Sequence, residues 1–261
     1  MSWRLYVDIG NSAMKFALRR DCEWTPLVRL SWEEACQSDV LPPEAFAAAA
    51  VLTELERGGI PKEECDGIVA VTSSMDSGPI LELVGKSLGQ PVRVLGKDLK
   101  AKLRSRYQPP KSLGQDRVAN AVAAYALYGG PVAVVDIGSF ITSEVVDADG
   151  VFIGGCIAAG LEVIEAGMDE VMPGFSDLFR QPAKWDDLPN STGAGLHAGV
   201  LLQMVCTAKA LLDATAMAFD GTTTKRVVTG GDAELVAEHL EDVTINPMLT
   251  FEGLRLIDGY A

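Results

Sequence analysis

The chain has 261 residues, of which 48% are hydrophobic and 22% are charged. Its 36 aspartates and glutamates outnumber its 22 lysines and arginines, which gives a formal net charge of −14. This composition supports a folded protein with a hydrophobic core and excludes a chain that is mainly disordered. The acidic surplus also argues against a nucleic-acid-binding surface, because such a surface needs clustered positive charge.

Export, membrane insertion and zinc binding have little support in the sequence. The first residues show no basic segment followed by an apolar one, as a secretory signal would. The longest uncharged stretch, residues 188–208, contains Pro189, Asn190 and Gln203 and is too polar for a membrane span. The five cysteines are scattered without a Cys-x-x-Cys pair, and neither histidine is near one of them. We therefore expect a cytoplasmic protein with no membrane or nucleic-acid partner.

Short β-rich runs alternate with helix-like segments along the chain. Strands are predicted at residues 5–9, 14–18, 68–72, 92–95, 132–137, 143–146, 151–153 and 227–229. Helices are predicted at residues 43–57, 79–88, 116–127, 195–219 and 233–240. This alternation predicts the α/β class.

One tetrapeptide occurs twice and indicates a duplication. Val-Asp-Ile-Gly stands at residues 7–10 and again at residues 135–138, half a chain length later. Each copy ends an apolar strand, turns at glycine and presents a hydroxyl residue. Two such lobes facing each other would place Asp8 and Asp136 on opposite walls of one cleft. We therefore predict two duplicated lobes, residues 1–113 and residues 114–261.

The first copy has the residue types that a phosphate-binding hairpin needs. Asp8 ends a strand and suits Mg²⁺ or its water shell. Gly10 permits a tight turn, so the amides of Asn11 and Ser12 can form an anion-binding concavity. Lys15 adds a positive charge for phosphate. The alternative interpretation is an ordinary hairpin with a polar turn.

The second copy repeats this design, with Asp136 at the strand end and with Ser139 and Thr142 after the turn. Two such hairpins can hold the phosphates of ATP from both sides. A Gly-Gly pair at residues 230–231 follows another strand and would let an adenine ring lie against the backbone, although most such pairs are simple turns. The P-loop and the Gly-x-Gly-x-x-Gly motifs are both absent.

A third motif, Gly114-Gln115-Asp116-Arg117, opens a predicted helix. Asp116 at that position is either a helix cap or a base that accepts the proton of a substrate hydroxyl. Arg117 is able to hold a carboxylate in bidentate fashion. The residues alone leave both interpretations of Asp116 open.

Taken in order, these motifs resemble those of the type III pantothenate kinases. That family belongs to the actin/hexokinase/Hsp70-like ATPases, which have two ribonuclease-H-like lobes. The resemblance runs nearly from end to end, and its remaining parts are residues 71–74, 107–109, 120–121, 154–157, 188–192, 229–231 and 246–254.

The resemblance implies that ATP phosphorylates pantothenate to 4′-phosphopantothenate, the first step toward coenzyme A, in a homodimer. It implies that Asp116 is the general base and that Asp136 binds a monovalent cation, K⁺ or NH₄⁺. The residues implied to bind ATP and its Mg²⁺ are Asp8, Ile9, Gly10, Asn11, Ser12, Ala13, Met14, Lys15 and Ser139. Those implied to bind pantothenate are Tyr107, Gly114, Gln115, Asp116, Arg117 and Thr192.

Two positions depart from the family pattern. Phe140 replaces a small residue in the second hairpin, and Ala159 replaces the proline of Gly-Gly-x-Ile-x-Pro-Gly. Because side chains alternate along a strand, we expect Phe140 to turn away from the phosphate side, where Ser139 and Thr142 would point, and to be largely buried. A core Phe of that kind would cost about 3–5 kcal/mol when truncated to Ala.

Two other functions remain open at this level. A non-catalytic paralogue of the same fold, acting as a binding or regulatory protein, is favoured by Phe140. A kinase for another small acid that carries a hydroxyl is also consistent with the motifs. The enzyme is favoured because Asp8, Lys15, Asp116 and Asp136 are all present.

Overall fold

The computed structural model describes residues 2–74, 77–174, 188–219 and 224–259. The chain divides into two compact units. The first comprises Met1–Lys102, Ser112–Ala123 and Thr250–Ala261, and the second comprises Leu103–Lys111 and Ala124–Leu249. These units are not contiguous halves of the chain, so the predicted lobes 1–113 and 114–261 remain a coarser proposal.

A five-stranded sheet forms the centre of the first unit. Its strands are β1 (Trp3–Ile9), β2 (Ala13–Arg20), β3 (Glu23–Ser31), β4 (Cys65–Thr72) and β5 (Val92–Val94). They lie in the order β3-β2-β1-β4-β5, with antiparallel β3-β2-β1 pairing and parallel β1-β4-β5 pairing. The helices of this part of the chain are α1 (Trp32–Cys36), α2 (Pro43–Arg57) and α3 (Ser77–Leu88).

The second unit contains a larger sheet. Its strands are β6 (Arg104–Ser105), β7 (Val132–Ile137), β8 (Phe140–Val146), β9 (Val151–Gly154), β10 (Ile157–Ala159), β11 (Lys225–Thr229) and β12 (Thr244–Ile245). They lie in the order β12-β11-β7-β8-β9-β6, and β10 pairs with β8 outside this path. The remaining helices are α4 (Gln115–Tyr128), α5 (Leu161–Val171), α6 (Thr192–Ala218), α7 (Ala233–Ala237) and α8 (Leu249–Asp258).

The two sheets repeat one topology. In the second sheet the order β9-β8-β7-β11-β12 matches β3-β2-β1-β4-β5 of the first, with the same two antiparallel and two parallel pairings. β1 and β7, which carry the repeated tetrapeptide, are the equivalent central strands. The predicted α/β class with duplicated lobes is therefore confirmed.

Each sheet buries one face in its own core. In the first unit, alternate residues of β1 pack beneath α2 and α3: Trp3, Leu5, Val7 and Ile9. In the second unit, Ala133, Val135 and Ile137 of β7 pack against α6. α6 contributes residues at helical spacing, namely Val200, Leu201, Met204, Val205, Ala208 and Leu212.

By length and composition alone, α6 is long and apolar enough over residues 192–215 to cross a membrane, and 39% of its most apolar window is buried in the protein. A core helix of a soluble protein can have the same length and composition. The buried residues that pack against β7 account for part of this apolar composition, and the predicted absence of a membrane partner remains a proposal.

Several elements differ from the sequence-based expectations. β3 was not predicted, because Pro26 and the four exposed residues among its nine weaken its strand pattern. α5 and α8 were also missed, and α6 begins at Thr192 rather than at residue 195. β3 is held in place by its antiparallel pairing with β2, which the local sequence pattern does not show.

α8 lies in the first unit although it ends the chain, and an ion cluster holds it there. The buried carboxylate of Asp258 accepts a hydrogen bond from Arg4 Nη1 at 2.5 Å and pairs with Arg93. Arg4 also pairs with Asp66 at 3.1 Å. Nearer the start of α8, Trp24 donates to Glu252 at 2.6 Å and its ring lies beside Phe251. These contacts join α8 to β1, β3 and β5, which explains why the compact unit is not contiguous in sequence.

We expect Asp258→Asn to destabilise the protein by about 3 kcal/mol, because breaking a buried ion pair leaves arginine charge uncompensated. Urea unfolding of Asp258→Asn measures this loss. The matched control is Glu82→Gln, which breaks the exposed pair between Glu82 and Lys86 and should cost less than about 1 kcal/mol. Equal losses in the two variants would contradict a structural role for the Asp258 cluster.

Candidate active site

The first hairpin brings a carboxylate and an ammonium group together where β1 and β2 meet. Asp8 and Lys15 are opposite each other in the strand register, so their side chains share one face. Lys15 Nζ lies 3.6 Å from Asp8 Oδ2, and the Asp8 side chain is mostly buried whereas that of Lys15 is one-third exposed. The pair is therefore accessible from one side and able to meet a charged ligand.

The turn between these strands is held by its neighbours. Gly10 donates its N–H to the carbonyl of Ala13 at 2.9 Å, and its own carbonyl accepts from the indole of Trp32 at 3.0 Å. Ser73, which follows β4, donates to the carbonyl of Ile9. The side chains of three predicted ATP-binding residues, Ile9, Ala13 and Met14, are buried in the core. Only their backbone can contribute to binding, whereas Asn11 at the tip is exposed.

Asp116 lies in the first turn of α4, as the sequence predicted. Its Oδ1 accepts the backbone N–H of Arg117 at 2.8 Å. The side chain folds back over Gly114, where an added Cβ would lie 2.5 Å from Asp116 Oδ1. Gly114 is therefore required by close approach of this carboxylate. The helix N-terminus and the amide contact orient a half-buried carboxylate.

The other predicted substrate residues differ in exposure. Arg117 is buried, while Gln115 is half-buried and packs against Gly96. Tyr107 is half-buried, and its ring stacks edge-on against Phe152 at 5.9 Å. Thr192 is exposed at the first residue of α6. Asp8 and Asp116 belong to the first unit, whereas Tyr107, Asp136, Ser139 and Thr192 belong to the second.

Two glycines pack closely against the second hairpin, which lies between β7 and β8. Gly160 donates to the carbonyl of Ser139 at 3.0 Å, and an added Cβ on Gly160 would lie only 1.9 Å from the carbonyl oxygen of Gly138. An added Cβ on Gly230 would lie 2.2 Å from the Ile137 carbonyl oxygen and 2.6 Å from Asp136 Oδ1. Gly230 also has φ +106°, which favours glycine. These glycines permit the backbone approaches that hold Asp136 and Ser139 in place.

The expected burial of Phe140 is wrong. Its side chain is 41% exposed. Phe140 begins β8 and is two residues from Thr142, so both side chains lie on the same face of the strand. Thr142 is opposite Asp136 in the register, which puts Phe140 on the Asp136 face as well. The ring is thus at the rim of the hairpin face.

A buried glutamate on this face was missed by the sequence analysis. Glu144 is fully buried in β8, and its Oε1 accepts a hydrogen bond from Thr142 Oγ1 at 2.8 Å. The available signal was an acidic residue at an inward position of a strand that continues with two valines. A buried carboxylate is costly without compensating polar contacts, so its presence indicates a specific role.

Three acidic side chains, Glu162, Glu165 and Asp232, lie near one another beside the turn that follows β11. Burial raises the pKa of the Glu165 carboxyl, and the nearby negative charges of Glu162 and Asp232 raise it further, while His197 opposes the shift. Asp232 follows the Gly-Gly pair directly and donates its N–H to the Ile137 carbonyl at 2.9 Å. In the described residues, no three His, Cys, Asp or Glu side chains form a metal-binding cluster.

A groove of about 640 Å³ lies along α3 and β5 in the first unit. Thr72, Ser77 and Gln90 are among the residues that line it, and several of its charged lining residues are exposed. None of the predicted site residues lines this groove.

Comparison with known proteins decides the family. The family model described as type III pantothenate kinase matches residues 4–214. The chain belongs to the type III pantothenate kinase family. A type III pantothenate kinase from Roseiflexus sp. (strain RS-1) is 32% identical over 97% of both chains. Another, from Moorella thermoacetica, is 27% identical over the same shares. The expected family and the expected class of enzyme, a kinase, are therefore confirmed.

A solved structure supports the fold. The (R)-2-hydroxyglutaryl-CoA dehydratase component A from Acidaminococcus fermentans matches with a TM-score of 0.55, covering 100% of this chain and 98% of that chain. The two sequences are only 15% identical. This likeness therefore concerns the fold alone.

We expect Phe140→Ala to cost about 1–2 kcal/mol of stability, because a half-exposed ring loses only part of the burial free energy of a core Phe. Phe152→Ala is the matched control, since Phe152 is fully buried in the neighbouring β9 and should cost about 3–5 kcal/mol. Chemical unfolding compares the two. A loss as large for Phe140 as for Phe152 would show that the Phe140 ring is covered in solution.

Proposed function

We propose that this kinase transfers the γ-phosphoryl group of ATP to the primary hydroxyl of pantothenate, giving ADP and 4′-phosphopantothenate. This is the first step toward coenzyme A. The observation that carries the proposal is the Gly114-Gln115-Asp116-Arg117 motif at the start of α4, with its carboxylate oriented by the Arg117 amide. The family match over residues 4–214 supports the same reaction.

The first hairpin is proposed to hold the ATP phosphates and the divalent metal that a kinase uses with ATP. The Asp8 carboxylate suits the Mg²⁺ water shell, and the Lys15 ammonium suits a phosphate oxygen. The two groups lie 3.6 Å apart beside the turn between β1 and β2, so both are already in place for a ligand. The metal bound with ATP neutralises phosphate charge during transfer. Ser139 of the second hairpin is proposed to contact the ATP phosphates as well.

Asp116 is the proposed general base. In the transfer, the pantothenate hydroxyl oxygen forms a bond to the γ-phosphorus while the bond from that phosphorus to the β–γ bridging oxygen breaks. ADP leaves, and the hydroxyl proton passes to the Asp116 carboxylate. The amide contact through Oδ1 fixes the carboxylate's orientation. Gly114, Gln115, Arg117, Tyr107 and Thr192 are proposed to line the pantothenate site.

A monovalent cation, K⁺ or NH₄⁺, is the further proposed cofactor, held at Asp136. The donors there are oxygens, as hard cations prefer: a half-buried carboxylate at the end of β7 and the Thr142 hydroxyl opposite it. Gly230 leaves Asp136 Oδ1 uncovered by a side chain, since an added Cβ would lie 2.6 Å from that oxygen. These residues fit a cation. We also propose a cytoplasmic homodimer without nucleic-acid or membrane partners.

We expect Asp116→Asn to lower kcat by roughly 10²–10⁴, the usual contribution of acid–base catalysis. An ADP-release assay with pantothenate and ATP measures this. Glu34→Gln is the control for a pure capping role, because Glu34 caps α1 through the Ser31 N–H at 2.7 Å. It should leave kcat unchanged. Near-normal turnover in Asp116→Asn would show that Asp116 is a helix cap and not the general base.

We expect the unmodified enzyme to turn over faster in KCl than in NaCl at equal ionic strength. Asp136→Ala should abolish that difference, because it removes the charged ligand, whereas Asp149→Ala at an exposed position should retain it. Initial rates in the two salts provide the measurement. Equal rates for the unmodified enzyme would remove the cation role from Asp136.

A further inference from the structure

The buried pair of Glu144 and Thr142 lies directly beside Asp136. Thr142 is paired with Asp136 across β7 and β8, and Glu144 is paired with Val134. Directly opposed residues of antiparallel strands project from the same face, as do residues two apart on one strand. Asp136, Thr142 and Glu144 therefore share one face of the second sheet, with Glu144 on the interior side of Thr142.

The hydrogen bond within this pair commits the only proton of the Thr142 hydroxyl. Oγ1 donates it to Glu144 Oε1 at 2.8 Å. A hydroxyl has one proton and two acceptor lone pairs, so Oγ1 then offers only lone pairs to its other neighbours. A hydroxyl that donates to a carboxylate is also a stronger acceptor, because hydrogen bonds in a chain polarise one another.

The register places this acceptor next to the Asp136 carboxylate, which is itself an acceptor when ionised. Acceptor groups that converge in this way favour a cation between them. A threonine free to rotate would instead be able to donate its proton to Asp136 and so reduce the site's preference for a cation. The location of Glu144 thus explains why a carboxylate is buried beside valines: Val134 and Val146 are both fully buried on that face.

We propose that Glu144 is a positioning residue for the monovalent-cation site: it accepts the hydrogen bond of the Thr142 hydroxyl and so makes Thr142 Oγ1 a second oxygen ligand beside Asp136. This inference rests on the proposed cation function of Asp136. Glu144 itself does not contact the cation or the reacting atoms. It acts through Thr142.

The test uses the complete protein without nucleotide and measures the rise in melting temperature as KCl replaces choline chloride at constant ionic strength. Thr142→Val removes the hydroxyl at nearly constant shape, and Glu144→Leu removes the acceptor. Each should raise the KCl concentration for half-maximal stabilisation about tenfold or more, because interactions of polar groups with a charge are among the stronger ones. Thr142→Ser keeps the hydroxyl and should restore the normal concentration.

Two further variants separate this role from general stability. Thr215→Val removes another buried hydroxyl, which donates to the Leu211 carbonyl within α6 at 2.9 Å, and should leave the KCl midpoint unchanged. Glu144→Gln preserves size and an acceptor oxygen and tests the role if Glu144→Leu does not fold. A smaller rise in the KCl midpoint is expected for it.

The outcomes distinguish the two proposals. If the unmodified protein responds to KCl, Asp136→Ala does not, and the Thr142 and Glu144 variants keep the normal midpoint, the positioning role is overturned while the Asp136 site stands. If the unmodified protein shows neither stabilisation nor activation by KCl, the cation function is overturned and the positioning role with it.

Discussion

A central strand that is buried on both faces and ends in a carboxylate is the constraint on which both units depend. In β1 and β7 the apolar residues are fully or almost fully buried. An acidic side chain is therefore best tolerated near the end of the strand, where it can reach solvent or a ligand. Asp8 and Asp136 lie near the carboxyl ends of these strands. The following turns lie at the carboxyl ends of the central strands, where ligand sites of α/β sheets are commonly formed. Burial of the strand thus positions the acid.

The two hairpins each place an acid beside a tight turn, but different residues hold the two turns in place. The first turn is held by Trp32 from α1 and by Ser73 after β4, both of which donate to its backbone carbonyls. The second is held by close backbone approach at Gly160 and Gly230, where a larger residue would collide with the hairpin. The duplicated topology therefore retained the position of the acid while the packing around each turn diverged.

Polar groups inside the protein have distinct purposes in the two units. In the first, Asp258 and Glu252 bind arginines and an indole and thereby attach α8 to the sheet. In the second, Glu144 pairs with a hydroxyl on the face that carries Asp136. Removing a buried acid costs stability in both cases, but only Glu144 lies beside a candidate ligand site. Stability measurements alone would not separate these roles, whereas a cation titration does.

Which features of the fold and the candidate site could be predicted from the sequence depends on how far apart along the chain the interacting residues are. The α/β class, the duplication and the positions of Asp8, Asp136 and Asp116 were readable, because apolar strands and turn residues leave local patterns. The orientation of Phe140 was mispredicted, because Phe140 was assigned to the face opposite Thr142. The strand begins at Phe140, so alternation puts residues 140 and 142 on the same face.

The sequence by itself determined the duplicated sheets and the acids at their edges, since both arise from local hydrophobic pattern. Only the tertiary structure decided that α8 packs beside β1, that Gly230 touches Asp136 and that Glu144 accepts the hydrogen bond of Thr142. Arg4 and Asp258 are 254 positions apart, and Gly230 meets the second hairpin from a different strand. Contacts of that range depend on how packed elements align, because a local pattern specifies which face of a strand is buried but not which distant residue covers it.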